Sequence, residues 1–141
     1  PNHGYTDQAD HLIRYALFPH RGDAVTAKVA QQAYEFNLPP RVCETQPAEG
    51  SAAPERSFIQ VDAANVIVET VKQAEDGEGW IVRLYEAGGE QTAARITFNH
   101  PPARLDEVDL MEESPRLLAL QDGAARLDFH PFEIKSLRCR N

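Results

Sequence analysis

The chain has 141 residues, with 14 Lys+Arg against 22 Asp+Glu and a formal net charge of -8. That length suits one domain with a real core, and no apolar run approaches the roughly 18 residues of a membrane-spanning helix. An acidic chain whose cations are scattered also lacks the basic face that a general nucleic-acid binder uses to neutralise phosphates. The start, Pro1-Asn2-His3, has no Met and no signal-like pattern, and suggests a piece cut from a longer protein. Cys43 and Cys139 are too few for a disulfide scaffold and read as free thiols of a cytoplasmic protein.

Residues 9–18 (ADHLIRYALF) read as a strand. Leu12, Arg14, Ala16 and Phe18 share one face; Ile13, Tyr15 and Leu17 share the other. Both faces are largely apolar, so the strand is expected to be covered on both sides. Pro19 to Asp23 is a turn, and Asp23 is placed to cap a helix of about three turns. Val25, Val29, Ala33 and Phe36 make one helical stripe, and Asn37-Leu38-Pro39-Pro40 stops it. Arg41 to Glu55, with Pro47, Gly50 and Pro54, reads as an exposed linker.

From Arg56 the pattern becomes strands. Expected spans are 57–61, 65–73, 80–86, 92–98, 104–111, 117–120, 124–129 and 132–139, with 117–120 and 124–129 forming a hairpin around Asp122-Gly123. Gly77 and Gly79 mark the reversal between the second and third, and at least one of them should adopt positive φ. In the last span Phe132 and Ile134 have one parity, Leu137 and Cys139 the other. That requires either a bulge near Lys135–Ser136 or burial of both faces. Turn signals at short intervals between strands indicate an antiparallel β-sandwich, mainly β, with one short helix near the N-terminus. The organisation expected is an entry region over 1–55 and a terminal sandwich over 56–141.

The side chains offer little chemistry. His3, His11, His20, His100 and His130 show no metal-ligand spacing, and His20, His100 and His130 each adjoin a proline at a strand end. Asp106, Glu107, Asp109, Glu112 and Glu113 cluster, but Asp106 and Glu107 alternate with Leu105 and Val108 as a solvated strand face does. A calcium site there is the minority reading, without EF-hand spacing to support it. Gly77 and Gly79 lie between two strands, whereas a phosphate loop leads from a strand into a helix. No serine sits in a G-x-S-x-G elbow, and nothing near Cys43 would activate it. Trp80 and Tyr85 are on opposite faces of one strand, so one of them could be exposed for sugar stacking, although core packing is the simpler reading. No catalytic, cofactor-binding or metal-binding residue is assigned.

Four blocks, in order, resemble glycoside hydrolase family 38 α-mannosidases. Ile13 to Asp23 (IRYALFPHRGD) resembles the family's F-x-Y-A-L-x-P-H-x-G-D, and Gln32 to Pro39 its Q-A-Y-x-x-N-x-P. The stretch from Val61 to Glu86, with KQAEDGEGW and RLYE, resembles a third block, and Pro131 to Arg138 (PFEIKSLR) the closing P-F-E-I-K-T-L-R. The likeness is to the bacterial and cytosolic branch. It implies a C-terminal β-domain of an enzyme that hydrolyses terminal α-mannosides. By the same resemblance, the zinc site and carboxylate nucleophile belong to an N-terminal domain, followed by a helical bundle, and none of this chain's residues matches them.

The expected role is therefore non-catalytic support of those domains within one parent chain, with zinc expected only in the catalytic domain and a homo-oligomer possible. Two alternatives remain: a carbohydrate-binding module using exposed aromatics such as Trp80 and Tyr85, and an adhesion-type sandwich. Buried rings favour the first role; a coplanar exposed pair favours a sugar-binding module.

Overall fold

The computed structural model describes residues 10–46, 49–50 and 53–141. One helix, α1 (Val29–Asn37), precedes eight strands: β1 (Ile59–Val61), β2 (Val66–Gln73), β3 (Trp80–Glu86), β4 (Thr92–Phe98), β5 (Arg104–Val108), β6 (Arg116–Leu117), β7 (Ala124–Phe129) and β8 (Ile134–Arg140). They form a three-stranded sheet, β1-β4-β7, and a five-stranded sheet, β2-β3-β8-β5-β6. Every pairing is antiparallel. This is the expected mainly β sandwich.

The period-2 pattern decides what each sheet buries. On β4, Ala94, Ile96 and Phe98 point inward and are buried; on β7, Ala125, Leu127 and Phe129 join them. From the larger sheet, Val82, Leu84, Leu105, Leu137 and Cys139 complete the core. Trp80 closes one end, its ring edge-on to Phe98 with centroids 6.3 Å apart. Such a contact contributes about 0.5–1.5 kcal/mol beyond the burial itself.

The outer face of the five-stranded sheet is part apolar and part ionic. Ile81, Ala74 and Val108 make a small second cluster there. Arg138 lies beside Ile81 in register, pairs with Asp76, and donates to the Glu78 carbonyl at 3.1 Å.

The last strand settles the parity question. β8 pairs without a register break with both β3 and β5, so no bulge is present. Instead, Ser136, Leu137, Arg138 and Cys139 are all buried. Leu137 and Cys139 face the core; Ser136 and Arg138 face the outer cluster. Phe132 and Ile134, before the buried run, stay exposed.

Several expectations are corrected. The turn at Asp122-Gly123 is present, with φ of 50° and 74° and a Gln121–Ala124 bridge, but its arms do not form a hairpin. β6 pairs with β5 and β7 with β4, so residues 118–123 carry the chain from one sheet to the other. The span 104–111 stops at Val108, because Asp109 Oδ1 accepts the N–H groups of Met111 and Glu113 at 2.9 Å each and turns the backbone away. β2 changes register between Val68 and Thr70.

Residues 10–18 have no strand partner among the described residues and are exposed, against the expectation of a covered strand; Ala9 lies outside the described residues. Asp23 caps a turn rather than α1: its Oδ1 accepts the Thr26 N–H at 2.7 Å, and Lys28, at φ 53°, separates that turn from the helix. Ala33 of the expected inward stripe is exposed, and no residue of α1 is fully buried. The linker from 41 to 55 has no regular structure among its described residues.

Both hairpin glycines have positive φ, 79° at Gly77 and 90° at Gly79. Only Gly79 is also crowded: a Cβ there would lie 2.2 Å from the Cys139 carbonyl oxygen, on β8. At Gly77 the nearest atom would be the Gln73 side-chain nitrogen at 3.8 Å. Gly77→Ala should therefore cost about 1 kcal/mol from backbone strain alone, and Gly79→Ala clearly more, because it must push β3 from β8. Urea unfolding of both variants checks the order; equal losses would contradict it.

Candidate functional site

The aromatic candidates do not form a sugar platform. Trp80 is half-buried against Phe98 and the core. Tyr85, on the opposite face of β3, is half-buried; burial, then the influence of the Tyr85 hydroxyl, pushes the Tyr34 phenol of α1 up to about 12. The two rings share no surface.

The acidic cluster disperses into separate partners. Asp106, expected on a solvated face, is fully buried. Its two oxygens accept from Arg104 at 2.7 and 2.9 Å, and Arg140 lies 3.8 Å away. The Arg104 fork holds the carboxyl below its ordinary range. Glu107 takes Lys135 at 3.0 Å, and also Arg116. Glu112, also buried, accepts the Glu75 N–H at 2.8 Å and pairs with Lys72 at 2.8 Å. Asp109 organises its own turn, and Glu113 is exposed. These bonds tie β5 to β8 and the 109–113 loop to the β2–β3 turn.

The histidines are equally dispersed. His100 Nε2 lies 2.7 Å from Arg56, His20 sits by the Phe18 ring, and His3 lies outside the described residues. Among the described residues no three His, Cys, Asp or Glu side chains gather as metal ligands. They do not fit a zinc site.

The feature that sequence reasoning missed is Glu86. It ends β3 on the inward parity of Trp80, Val82 and Leu84, and it is fully buried. Its Oε1 accepts from Asn65 Nδ2 at 2.8 Å and Gly88 N–H at 2.6 Å. Its Oε2 accepts the N–H groups of Gly89 at 2.7 Å, Glu90 at 3.2 Å and Phe132 at 3.0 Å. Five donors surround one carboxylate. Burial raises its pKa, but the N–H groups of Phe132 and Gly88 and the Asn65 amide outweigh that, and the net direction is down.

Two backbone features depend on this arrangement. Phe132 holds φ 59°, a costly conformation for a bulky residue, while its N–H is fixed by Glu86. Its ring lies over Gly89, where a Cβ would be 2.7 Å from Cζ. Glu86 thus joins the entry to β2, the β3–β4 loop and the entry to β8. The available signal was the E-A-G-G string on an inward parity.

The family model described as "Glycosyl hydrolases family 38 C-terminal beta sandwich domain" matches residues 65–137. The chain belongs to glycosyl hydrolase family 38. The match runs from Asn65 to Leu137 and so takes in the whole Glu86 cage. Among similar proteins, "Alpha-mannosidase 2C1" of Homo sapiens is 35% identical over 137 residues, covering 93% of this chain and 13% of that protein. The Mus musculus protein of the same name is 34% identical, with the same shares. "Alpha-mannosidase G" of Dictyostelium discoideum is 30% identical over 136 residues, covering 94% of this chain and 12% of its own length. The chain therefore spans about an eighth of these relatives, and it carries the family's C-terminal sandwich domain.

Glu86→Ala should destabilise the protein by about 3 kcal/mol, because it leaves several buried N–H groups without their acceptor. The pH dependence follows from the lowered pKa. Glu86 contributes its full stabilisation above the ordinary carboxylate value of 4.5 and loses it as pH falls through its lower folded value. Denaturant unfolding between about pH 7 and pH 3 should show Glu86→Gln less stable at neutral pH and less acid-sensitive than the unmutated protein. An equally steep acid loss in both would contradict the assignment.

Proposed function

We propose that this chain is the non-catalytic C-terminal sandwich of an α-mannosidase acting on terminal α-mannosides in carbohydrate metabolism. In this reading it supports the catalytic and helical parts of one parent chain. The observation that carries the reading is the match of residues 65–137 to the family's C-terminal domain. Two structural facts support it. Asp106, Glu107 and Glu112 of the acidic cluster are each engaged by a cation or a backbone N–H, as structural carboxylates are. Large apolar side chains, among them Leu12, Ile13, Tyr15 and Leu17, stand exposed as surface for a neighbour.

Zinc, by the same proposal, is bound by the catalytic part of the parent and by none of these residues. The parent is proposed to be cytoplasmic, and the exposed Cys43 and buried Cys139, both free, accord with that compartment. No helix is long and apolar enough to cross a membrane, among the described residues. Residues 1–55 are proposed as the connection into the sandwich, which occupies 56–141; self-association of the parent is compatible with this arrangement. A sugar-binding role for the sandwich, through Trp80 and Tyr85, is disfavoured by the packing of those rings on opposite faces.

The test is a rate measurement on an aryl α-mannoside, with and without added zinc. The purified 141-residue chain should give the buffer rate, and the full-length parent should turn over. Turnover by the chain alone that disappears on changing Asp106, Glu107 or Asp109 would overturn the proposal. A second measurement addresses the thiols. Burial pushes Cys139 up to about 12, whereas Cys43 is exposed. A thiol reagent at about pH 8 should titrate one thiol in the folded chain and both after unfolding. Two fast-reacting thiols in the native protein would contradict the buried position of Cys139.

A further inference from the structure

We infer that residues 12–18 are a β-strand of a sheet supplied by the upstream part of the same parent chain. α1 would then lie between that sheet and the C-terminal sandwich. This rests on the reading of the chain as one domain of a longer α-mannosidase.

The segment Leu12-Ile13-Arg14-Tyr15-Ala16-Leu17-Phe18 has one charge and alternates large apolar groups on both faces. A pattern of that kind suits a strand covered on both sides. Here it has no regular secondary structure, and neither sheet among the described residues contains it. Ile13, Tyr15 and Leu17 are 81%, 88% and 93% exposed. A long apolar strand with two open edges is an aggregation hazard that folded proteins cover.

α1 shows where one cover lies. Arg14 places its guanidinium 4.8 Å from the Phe36 ring centre. Val29, Ala33 and Phe36 line a groove shared with the segment, while Ala30 and Tyr34 line grooves against the sandwich. The helix therefore has two apolar sides, yet none of its residues is fully buried. The sandwich occupies one side. The segment only partly occupies the other, and among the described residues its far face stays exposed and its backbone joins no sheet.

The rest of the parent supplies the occupant. The match to the family's C-terminal sandwich begins at residue 65, so the segment lies outside it. The alignments nevertheless take in 93–94% of this chain, well upstream of the sandwich. The chain is only 12–13% of those relatives' lengths, which leaves ample chain to build a sheet. Ladder bonds would satisfy the segment's backbone groups, and the apolar neighbours would cover Ile13, Tyr15 and Leu17.

Amide hydrogen exchange, read by peptide mass spectrometry, tests this on the full-length parent and on the 141-residue chain. Peptides covering residues 12–18 should exchange on the order of 100-fold more slowly in the parent than in the chain. In the parent, Ala16→Pro should abolish that protection while peptides from 66–137 stay protected. The surface substitution Asp128→Ala, at an exposed position of β7, should leave it intact. Equal, fast exchange of 12–18 in both proteins, with an active parent and a protected sandwich, would overturn the strand and leave the domain reading standing. A parent whose sandwich peptides exchange identically whether or not the upstream chain is attached, and whose activity survives removal of the sandwich, would instead overturn the reading beneath it.

Discussion

The Glu86 carboxylate is the interaction on which the loop architecture depends. It sits where β3 leaves the core, and it accepts from Asn65, the 88–90 backbone and Phe132. A buried charge without partners would be expelled or neutralised. With five donors it instead fixes three chain segments that are far apart in sequence. The left-handed Phe132 and its ring over Gly89 are held by the same group. The register of β8 beside β3 starts directly after this anchor, with Ile134 opposite Tyr85.

A second layer of ionic ties extends from there across the outer sheet face. Arg138 bridges to Asp76 in the β2–β3 turn, Lys72 to Glu112, and Arg104 to Asp106. Each joins a strand to a turn or to a neighbouring strand position. The acidic residues that a reader scanning for chemistry would select are therefore structural. This division gives most of the carboxylates named in these ties a structural partner.

Much of the fold was legible in the residues, for identifiable reasons. β3 and β4 appear at their expected bounds because strict alternation on Trp80–Glu86 and Thr92–Phe98 leaves one choice of inward face. Gly77 and Gly79 were legible because only a reversal needs two glycines there. The course of residues 117–129 was not: the Asp122-Gly123 signal fixes a turn, but nothing local says that its arms join opposite sheets. Asp106 and Glu86 were misplaced or missed because a carboxylate is read as solvated until its donors are known, and those donors come from distant segments. For residues 10–18 the alternation was legible, but no strand among the described residues pairs with it and no strand forms. The absence of an active site was an expectation about chemistry, and the family relationship gives it a context that composition alone did not.

The central claim is that the sandwich supports a larger enzyme and catalyses nothing itself. Its most direct test is complementation. The parent is truncated to remove the region corresponding to this chain, then supplied with the chain as a separate polypeptide, and α-mannosidase activity is measured. The account predicts a truncated protein that is inactive or insoluble, with activity recovered when the two are co-expressed and co-purify. Full activity and normal solubility of the truncated parent without the chain would contradict it.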